Sequence, residues 1–219
     1  MSLYYSGDGI TLYHGNCLEV GAWLDADILC TDPPYGMAFR SNQGHEKFEA
    51  IAGDETTEIR DDVLLKWGGS RPVLMFGTWK VERPPGVKNV LIWDKTDGSG
   101  PGMGDISQAF GSSHEEIYLL GDWPLRDIRR GSVLRTRTSP AALTKLIGHP
   151  TPKPTGLMEV LINSAIDGTI ADPFAGSGST LVAARNLGRK AIGVELEERY
   201  CEIVAKRLAQ GALDFGDAS

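Results

Sequence analysis

The chain has 219 residues, 41% of them hydrophobic, and a net charge of −7. That is enough for one domain with an ordinary core, or one domain carrying an inserted lobe. No apolar run reaches the roughly 18 residues of a membrane span, and the start, MSLYYSGDGI, lacks the basic-then-apolar pattern of a signal peptide.

In chain order, ITLYHGN (Ile10 to Asn16) reads as a strand leading into a turn, and ADILCTD (Ala26 to Asp32) as a second strand. RPVLMFGT (Arg71 to Thr78) and KNVLIWDK (Lys88 to Lys95) are short apolar runs bounded by Gly and Pro, typical of buried strands. TDGSGPGMGD (Thr96 to Asp105) is loop, and HEEIYLLG (His114 to Gly121) another strand. The segment from Arg126 to Pro140 is polar and basic, with no assignable periodicity. The last third reads helix (Thr155 to Ile166), strand (Gly168 to Phe174), helix (Ser179 to Gly188), strand (Lys190 to Leu196), helix (Glu197 to Gly211). That alternation predicts an α/β fold with a mostly parallel, doubly wound sheet.

The three cysteines, Cys17, Cys30 and Cys201, are scattered, and neither they nor the four histidines show metal-ligand spacing. Reduced thiols in a cytoplasmic protein, without a zinc site, are the expectation. The acidic balance taken alone argues mildly against nucleic acid. The charge is uneven, however. Arg126, Arg129, Arg130, Arg135 and Arg137 are opposed only by Asp127, a local strip able to hold a phosphate backbone or simply a solvated basic loop.

Two stretches carry chemistry. In CTDPPYGMAF a strand is ended at once by Pro33 and Pro34, which cannot donate to a sheet ladder. The tip so formed carries a carboxylate, Asp32, and a ring, Tyr35. It is either a plain turn or a clamp for something flat and polar. In ADPFAGSGST a strand opens into a helix through Gly176 and Gly178, which let the backbone turn sharply. A triphosphate loop needs a lysine that is missing here. A dinucleotide fingerprint needs Gly or Ala where Leu181 stands. A nucleoside without a pyrophosphate fits better: Glu195 ends the next strand about 17 residues beyond Gly178, where an acid suits the two hydroxyls of a ribose. A glycine-rich turn with no ligand is the alternative.

With both stretches in hand, the chain resembles the DNA amino-methyltransferases that act on adenine N6 or cytosine N4. Asp32-Pro33-Pro34-Tyr35 is similar to their catalytic DPPY, and Phe174-Ala175-Gly176-Ser177-Gly178 to their FxGxG cofactor motif. HPTPKP (His149 to Pro154) resembles the segment leading into the helix before the cofactor strand, and HGNCLE (His14 to Glu19) the element beside the cofactor adenine, with Asn16 where aspartate is usual. DPPY preceding the cofactor motif resembles the permuted order of the beta group. The middle, about Arg40 to Arg137, is matched least.

The resemblance implies a Rossmann-like methyltransferase fold, S-adenosylmethionine as cofactor, double-stranded DNA as partner with the target base flipped out, and no metal. It makes residues 1–219 a single catalytic domain, with about 96–140 as the target-recognition region. Asp32 and the main-chain oxygen of Pro33 would accept the two amine hydrogens, Pro34 would stiffen the tip, and Tyr35 would stack on the base. Cofactor contacts are implied from Asn16, Cys17 and Asp32, and from Lys153 and Thr155 near the methionine carboxylate. Asp172, Phe174, Ala175, Gly176, Gly178, Ser179 and Thr180 would supply the rest, with Glu195 on the ribose. Aspartate in DPPY leans towards adenine N6, with cytosine N4 the alternative. A Rossmann-type NAD-dependent oxidoreductase and a non-catalytic DNA-binding relative are further readings; Leu181 speaks against the first, the intact Asp32 and Tyr35 against the second. The middle is short for reading a DNA sequence, so either the site read is short, a homodimer supplies more contacts, or specificity is low; a homodimer is the expectation. His114, Glu115 and Glu116 read as an ordinary polar start to a strand, Trp93 as core, and Trp79, just past a strand end, as a candidate for the DNA side.

Overall fold

The computed structural model describes residues 1–37, 56–96, 109–124, 130–136 and 140–210. Two compact units emerge, one formed by Met1–Thr31 with Pro152–Ser219, the other by Asp32–Thr151.

The first unit is a five-stranded sheet with helices. Its strands are β1 (Ser2–Gly7), β2 (Ile10–His14), β3 (Ile28–Thr31), β8 (Ile170–Asp172) and β9 (Ala191–Glu195), in the order β1-β2-β9-β8-β3. β2, β9, β8 and β3 run parallel, with His14 beside Glu195 and Asp172 beside Gly193. Their C-terminal ends therefore share one edge, the edge where open α/β sheets bind ligands. Ile28, Leu29, Ile170, Ala171 and Val194 are fully buried, which is why these strands read as continuous apolar runs rather than alternating ones. Helix α4 (Ser179–Asn186) packs on β8 and β9 and against both α3 (Thr155–Ser164) and α5 (Glu198–Ala209).

β1 went unread in the sequence. It pairs antiparallel with β2 through the two-residue turn Asp8-Gly9, both at positive φ (51° and 78°). Asp-Gly is a strong hairpin signal. It was obscured because β1 lies at the edge and shows no apolar alternation.

The second unit holds β4 (Val73–Gly77), β5 (Asn89–Asp94), β6 (His114–Leu120) and β7 (Val133–Arg135), in the order β4-β6-β5-β7. β6 is antiparallel to both β4 and β5, and β7 is parallel to β5. Helices α1 (Glu58–Trp67) and α2 (Pro140–Ile147) complete it. Neither helix, nor β7, was predicted. α1 buries only Arg60, Val63 and Trp67, too few apolar positions to show a period. Trp93 is core, as expected. Most of the loop predicted over Thr96 to Asp105 lies outside the described residues. Among the described residues no helix is long and apolar enough to cross a membrane.

Candidate active site

In the first unit, the parallel edge gathers four strand ends. Thr31 closes β3 and donates its hydroxyl to Asp172, 2.7 Å away at the end of β8. Asp172 also accepts the Phe174 N–H at 3.2 Å. Glu195 closes β9; its carboxylate accepts the Gly176 N–H at 2.7 Å on one oxygen and the Glu197 N–H at 2.8 Å on the other. Beyond β2, the Asn16 side-chain oxygen accepts the Leu18 N–H at 2.9 Å, an Asx turn. Buried Cys17 accepts the Trp23 indole N–H on its carbonyl. Gly15 N–H reaches the Glu195 carbonyl at 2.9 Å, which ties the Asn16 turn to the end of β9. Asn16, Asp172, Phe174, Gly176 and Glu195 are thus brought to one edge.

The glycine turn is built by two left-handed residues, Gly176 (φ 51°) and Gly178 (φ 78°). A Cβ on Gly178 would lie 2.8 Å from both γ-carbons of Val204 on α5. Lys153, Thr155 and Ser179 converge beneath this turn. Ser179 donates to the Lys153 carbonyl at 2.7 Å and lies 3.1 Å from the Ser177 hydroxyl. Lys153 is only 7% exposed, so it is not a solvated surface lysine. Thr180 is buried as well.

The residue at the centre of this cluster was not singled out from the sequence. Arg207, on α5, donates to the Ser177 carbonyl, to the Ser179 hydroxyl at 3.4 Å and to the Thr155 hydroxyl at 3.0 Å. One guanidinium therefore holds the glycine turn and the first residues of α3 and α4. It is 5% exposed, and burial lowers it to about 10, leaving it charged at neutral pH. The signal was available. Tyr200, Val204, Arg207 and Leu208 share the buried stripe of α5 at helical spacing.

The turn also shows what it can hold. The N–H groups of Phe174, Ala175, Gly176 and Gly178 are already bonded to Asp172, Val194, Glu195 and Ala175 respectively. These four are taken up inside the protein rather than offered to a phosphate as the amides of a nucleotide loop are. Asp172 and Glu195 make the edge acidic, which repels a polyphosphate and suits a cation. Each Glu195 oxygen accepts one N–H and retains acceptor capacity for a hydroxyl. A nucleoside bearing a positive charge and no phosphate fits these residues.

Burial pushes the Glu195 carboxyl up to about 7; the two N–H bonds oppose the shift. The folded protein therefore keeps a proton that the unfolded chain releases near 4.5. The Glu195 contribution to stability is full below that value and is lost as pH rises through about 7. Thermal unfolding across that window should show this slope in the wild type and a flatter profile in Glu195→Gln.

In the second unit, the DPPY tip is ordered by side chains. The Tyr35 hydroxyl donates to the Asp32 carboxylate at 2.7 Å and lies 3.3 Å from Glu115. Lys95 donates to the other Glu115 oxygen at 3.2 Å. Pro33 is buried; Asp32, Pro34 and Tyr35 are half-buried. Burial and the two neighbouring carboxylates raise the Tyr35 hydroxyl well above its ordinary value, so it stays protonated.

Strand alternation sends Glu115 and Glu116 to opposite faces of β6. Glu116, 4% exposed, accepts from Arg83 at 3.1 Å and from Tyr118 at 2.7 Å, and Tyr118 also reaches the Thr78 carbonyl. Both acids thus hold specific partners, unlike the ordinary polar strand start that was expected. Trp79, next to Thr78, is 60% exposed. Of the five arginines, Arg130 and Arg135 are exposed, with Arg135 3.5 Å from Asp94; Arg126, Arg129 and Arg137 lie outside the described residues.

The chain is 48% identical over 250 residues to Type II methyltransferase M2.DpnII of Streptococcus pneumoniae, covering 94% of this chain and 91% of the relative. It is 47% identical over 257 residues to Type II methyltransferase M2.LlaDCHI of Lactococcus lactis subsp. cremoris, covering 95% and 93%. Its fold matches the crystal structure of an M1.HpyAVI–SAM complex with a TM-score of 0.66 at 22% identity, over 92% of this chain and 100% of that one. It also matches the PvuII cytosine-N4-specific DNA methyltransferase with a TM-score of 0.64 at 16% identity, over 96% and 90%. The N6/N4 family model, described as DNA methylase, matches residues 85–206, more than half of the sequence, and the chain belongs to that family.

Proposed function

We propose that this S-adenosylmethionine-dependent DNA methyltransferase acts on the exocyclic N6 amine of adenine. The observation that supports an amino-methyltransferase clamp is the 2.7 Å hydrogen bond between the Tyr35 hydroxyl and the Asp32 carboxylate, and the choice of adenine rests on aspartate at position 32. A flat ring and a charged acceptor sit on one tip stiffened by two prolines. An exocyclic amine is a poor nucleophile because its lone pair is delocalised into the base. Asp32 accepts one amine hydrogen, and the Pro33 carbonyl accepts the other. Together they draw the nitrogen towards tetrahedral without removing a proton beforehand. Tyr35 stacks on the base, which must leave the duplex to be reached. Asp rather than Ser at position 32 favours adenine; cytosine N4 is the second reading, and the same clamp would serve it.

S-adenosylmethionine, when bound, supplies an electrophilic methyl group. Glu195 would accept hydrogen bonds from its ribose hydroxyls, and the Asn16–Cys17 turn would hold its adenine. Phe174 and the turn from Ala175 to Thr180 would hold its amino-acid end, with Lys153 and Thr155 towards the carboxylate. Hydroxyl donors favour a carboxylate over a neutral acid. Cofactor affinity should therefore rise as the Glu195 carboxyl ionises, from about pH 6 to about pH 8, and Glu195→Gln should lose the dependence. Calorimetric titration at several pH values checks this.

On the DNA side we assign Arg126, Arg129, Arg130, Arg135 and Arg137 to phosphate or base contacts within the region of about 96–140. Trp79 is assigned to stacking. Trp79→Ala should weaken DNA binding about tenfold at fixed salt, with cofactor binding unchanged. Fluorescence anisotropy with a labelled duplex measures the first, calorimetry the second. We keep residues 1–219 as one catalytic domain acting as a homodimer; a light-scattering mass of one chain, with and without DNA, removes the dimer. The relatives being named Type II methyltransferases, the modification arm of a restriction system is the proposed setting.

The decisive experiment incubates the protein with unmethylated DNA and S-adenosylmethionine, digests the DNA, and separates the nucleosides by mass spectrometry. N6-methyladenine confirms the proposal. N4-methylcytosine overturns the choice of base and keeps the clamp.

A further inference from the structure

The Tyr35 hydroxyl has one hydrogen and two carboxylates near it. At 2.7 Å, Asp32 holds a short charge-assisted bond; at 3.3 Å, Glu115 is at the long end of hydrogen-bonding distance. The resting bond therefore draws on the charge of the Asp32 carboxylate, the acceptor that the target amine needs, and weakens it for a second donor. Glu115 is fixed from its other side by Lys95 at 3.2 Å, and this pair is largely shielded, with the two side chains 23% and 19% exposed. Its position also follows from the sheet. Glu115 lies opposite Trp93 in the β5–β6 ladder, and the Lys95 N–H bonds the Ser113 carbonyl at 2.8 Å. A carboxylate so anchored is a ready second acceptor for the same hydroxyl.

We propose that Glu115 is a positioning residue that takes over the Tyr35 hydroxyl hydrogen bond from Asp32 when the target amine arrives. This rests on the clamp reading of Asp32. The exchange is one of hydrogen bonds only. The Tyr35 O–H turns from Asp32 to Glu115, and the vacated Asp32 oxygen accepts an N–H from the base. The hydroxyl exchanges one carboxylate for another, the tyrosine stays neutral, and its ring keeps a fixed orientation for stacking. Without Glu115, the hydroxyl and the amine would compete for the charge of the one Asp32 carboxylate.

A double-mutant cycle tests the exchange, because damage to strand β6 or to Lys95 is common to both backgrounds and cancels. Single-turnover methyl transfer is measured at saturating cofactor and DNA for the wild type, Glu115→Ala, Tyr35→Phe and the double variant. Glu115→Ala should slow transfer about 20-fold in the wild type but no more than about threefold in Tyr35→Phe, where there is no hydroxyl to receive. Glu115→Gln, which keeps an acceptor oxygen, should recover most of the loss, and DNA affinity should change little throughout. An equal loss in both backgrounds, or no loss at all, overturns the proposal. If the wild type methylates no DNA, it is the function reading that fails. The exchange is then judged on ligand-free protein by cycles on unfolding free energy. There the Tyr35 hydroxyl must couple to Asp32 more strongly than to Glu115, and the reverse order overturns it.

Discussion

Replacing Asp32 by alanine should reduce methyl transfer by about 10³-fold while leaving S-adenosylmethionine affinity within about threefold. The clamp acts on charge that develops at the amine nitrogen, so its removal falls on the chemical step rather than on binding. Asp32→Asn separates charge from hydrogen bonding. The amide oxygen still accepts an N–H, but without the charge that makes the bond strong, and a loss of about 10- to 50-fold is expected. Single-turnover rates with radiolabelled cofactor measure both, and calorimetry reads cofactor binding. An alanine variant within tenfold of the wild type would remove Asp32 from the mechanism. The Asp32–Tyr35 bond adds a control: Tyr35→Phe keeps the ring, so it should cost far less than Asp32→Ala.

The second large effect is expected at Gly178. Its φ of 78° lies where a side chain is strained, and an added Cβ would press on both γ-carbons of Val204 at 2.8 Å. The two penalties act together, and Gly178→Ala should lower stability by roughly 2–4 kcal/mol. Because the turn carries the Gly176 N–H to Glu195 and the Ser177 carbonyl to Arg207, cofactor affinity should fall as well, by at least about tenfold. Adding Val204→Ala relieves the crowding but not the backbone strain, so it should recover only part of the loss. Denaturant unfolding measures the first effect and calorimetry the second. Full recovery in the double variant would show that the left-handed conformation costs nothing.

The sequence was most legible where one residue type could do only one thing. Two prolines had to end β3 after Thr31, and two glycines had to turn the chain between β8 and α4. Leu181 and the missing lysine already pointed away from phosphate-bearing nucleotides; the bonded amides of the turn supply the physical reason. Legibility failed where a residue's role depends on its neighbours in space. Arg207 in the last turn of α5 reads as a solvated cation favoured by the helix dipole, yet it is buried under the glycine turn. Glu115 and Glu116 are adjacent in sequence and identical in type, but the pleat of β6 gives one to Tyr35 and the other to Arg83 and Tyr118. Tyr35 and Arg83 lie 80 and 33 residues from them, beyond any local pattern. α1 was invisible because Val63 and Trp67 are its only buried apolar side chains.

The spent amides of the glycine turn have a consequence for competition. Adenosine is common to many metabolites, and most carry phosphates. A turn offering all its N–H groups would admit them; one with four of those donors satisfied internally, flanked by Asp172 and Glu195, discriminates by what it withholds. On the proposed role, adenosine mono-, di- and triphosphates should be weak inhibitors despite sharing the nucleoside. The demethylated product has lost the positive charge that the two acids favour, so it should leave more readily than the substrate binds. Selection among nucleotides and release after turnover would then arise from the same pair of carboxylates.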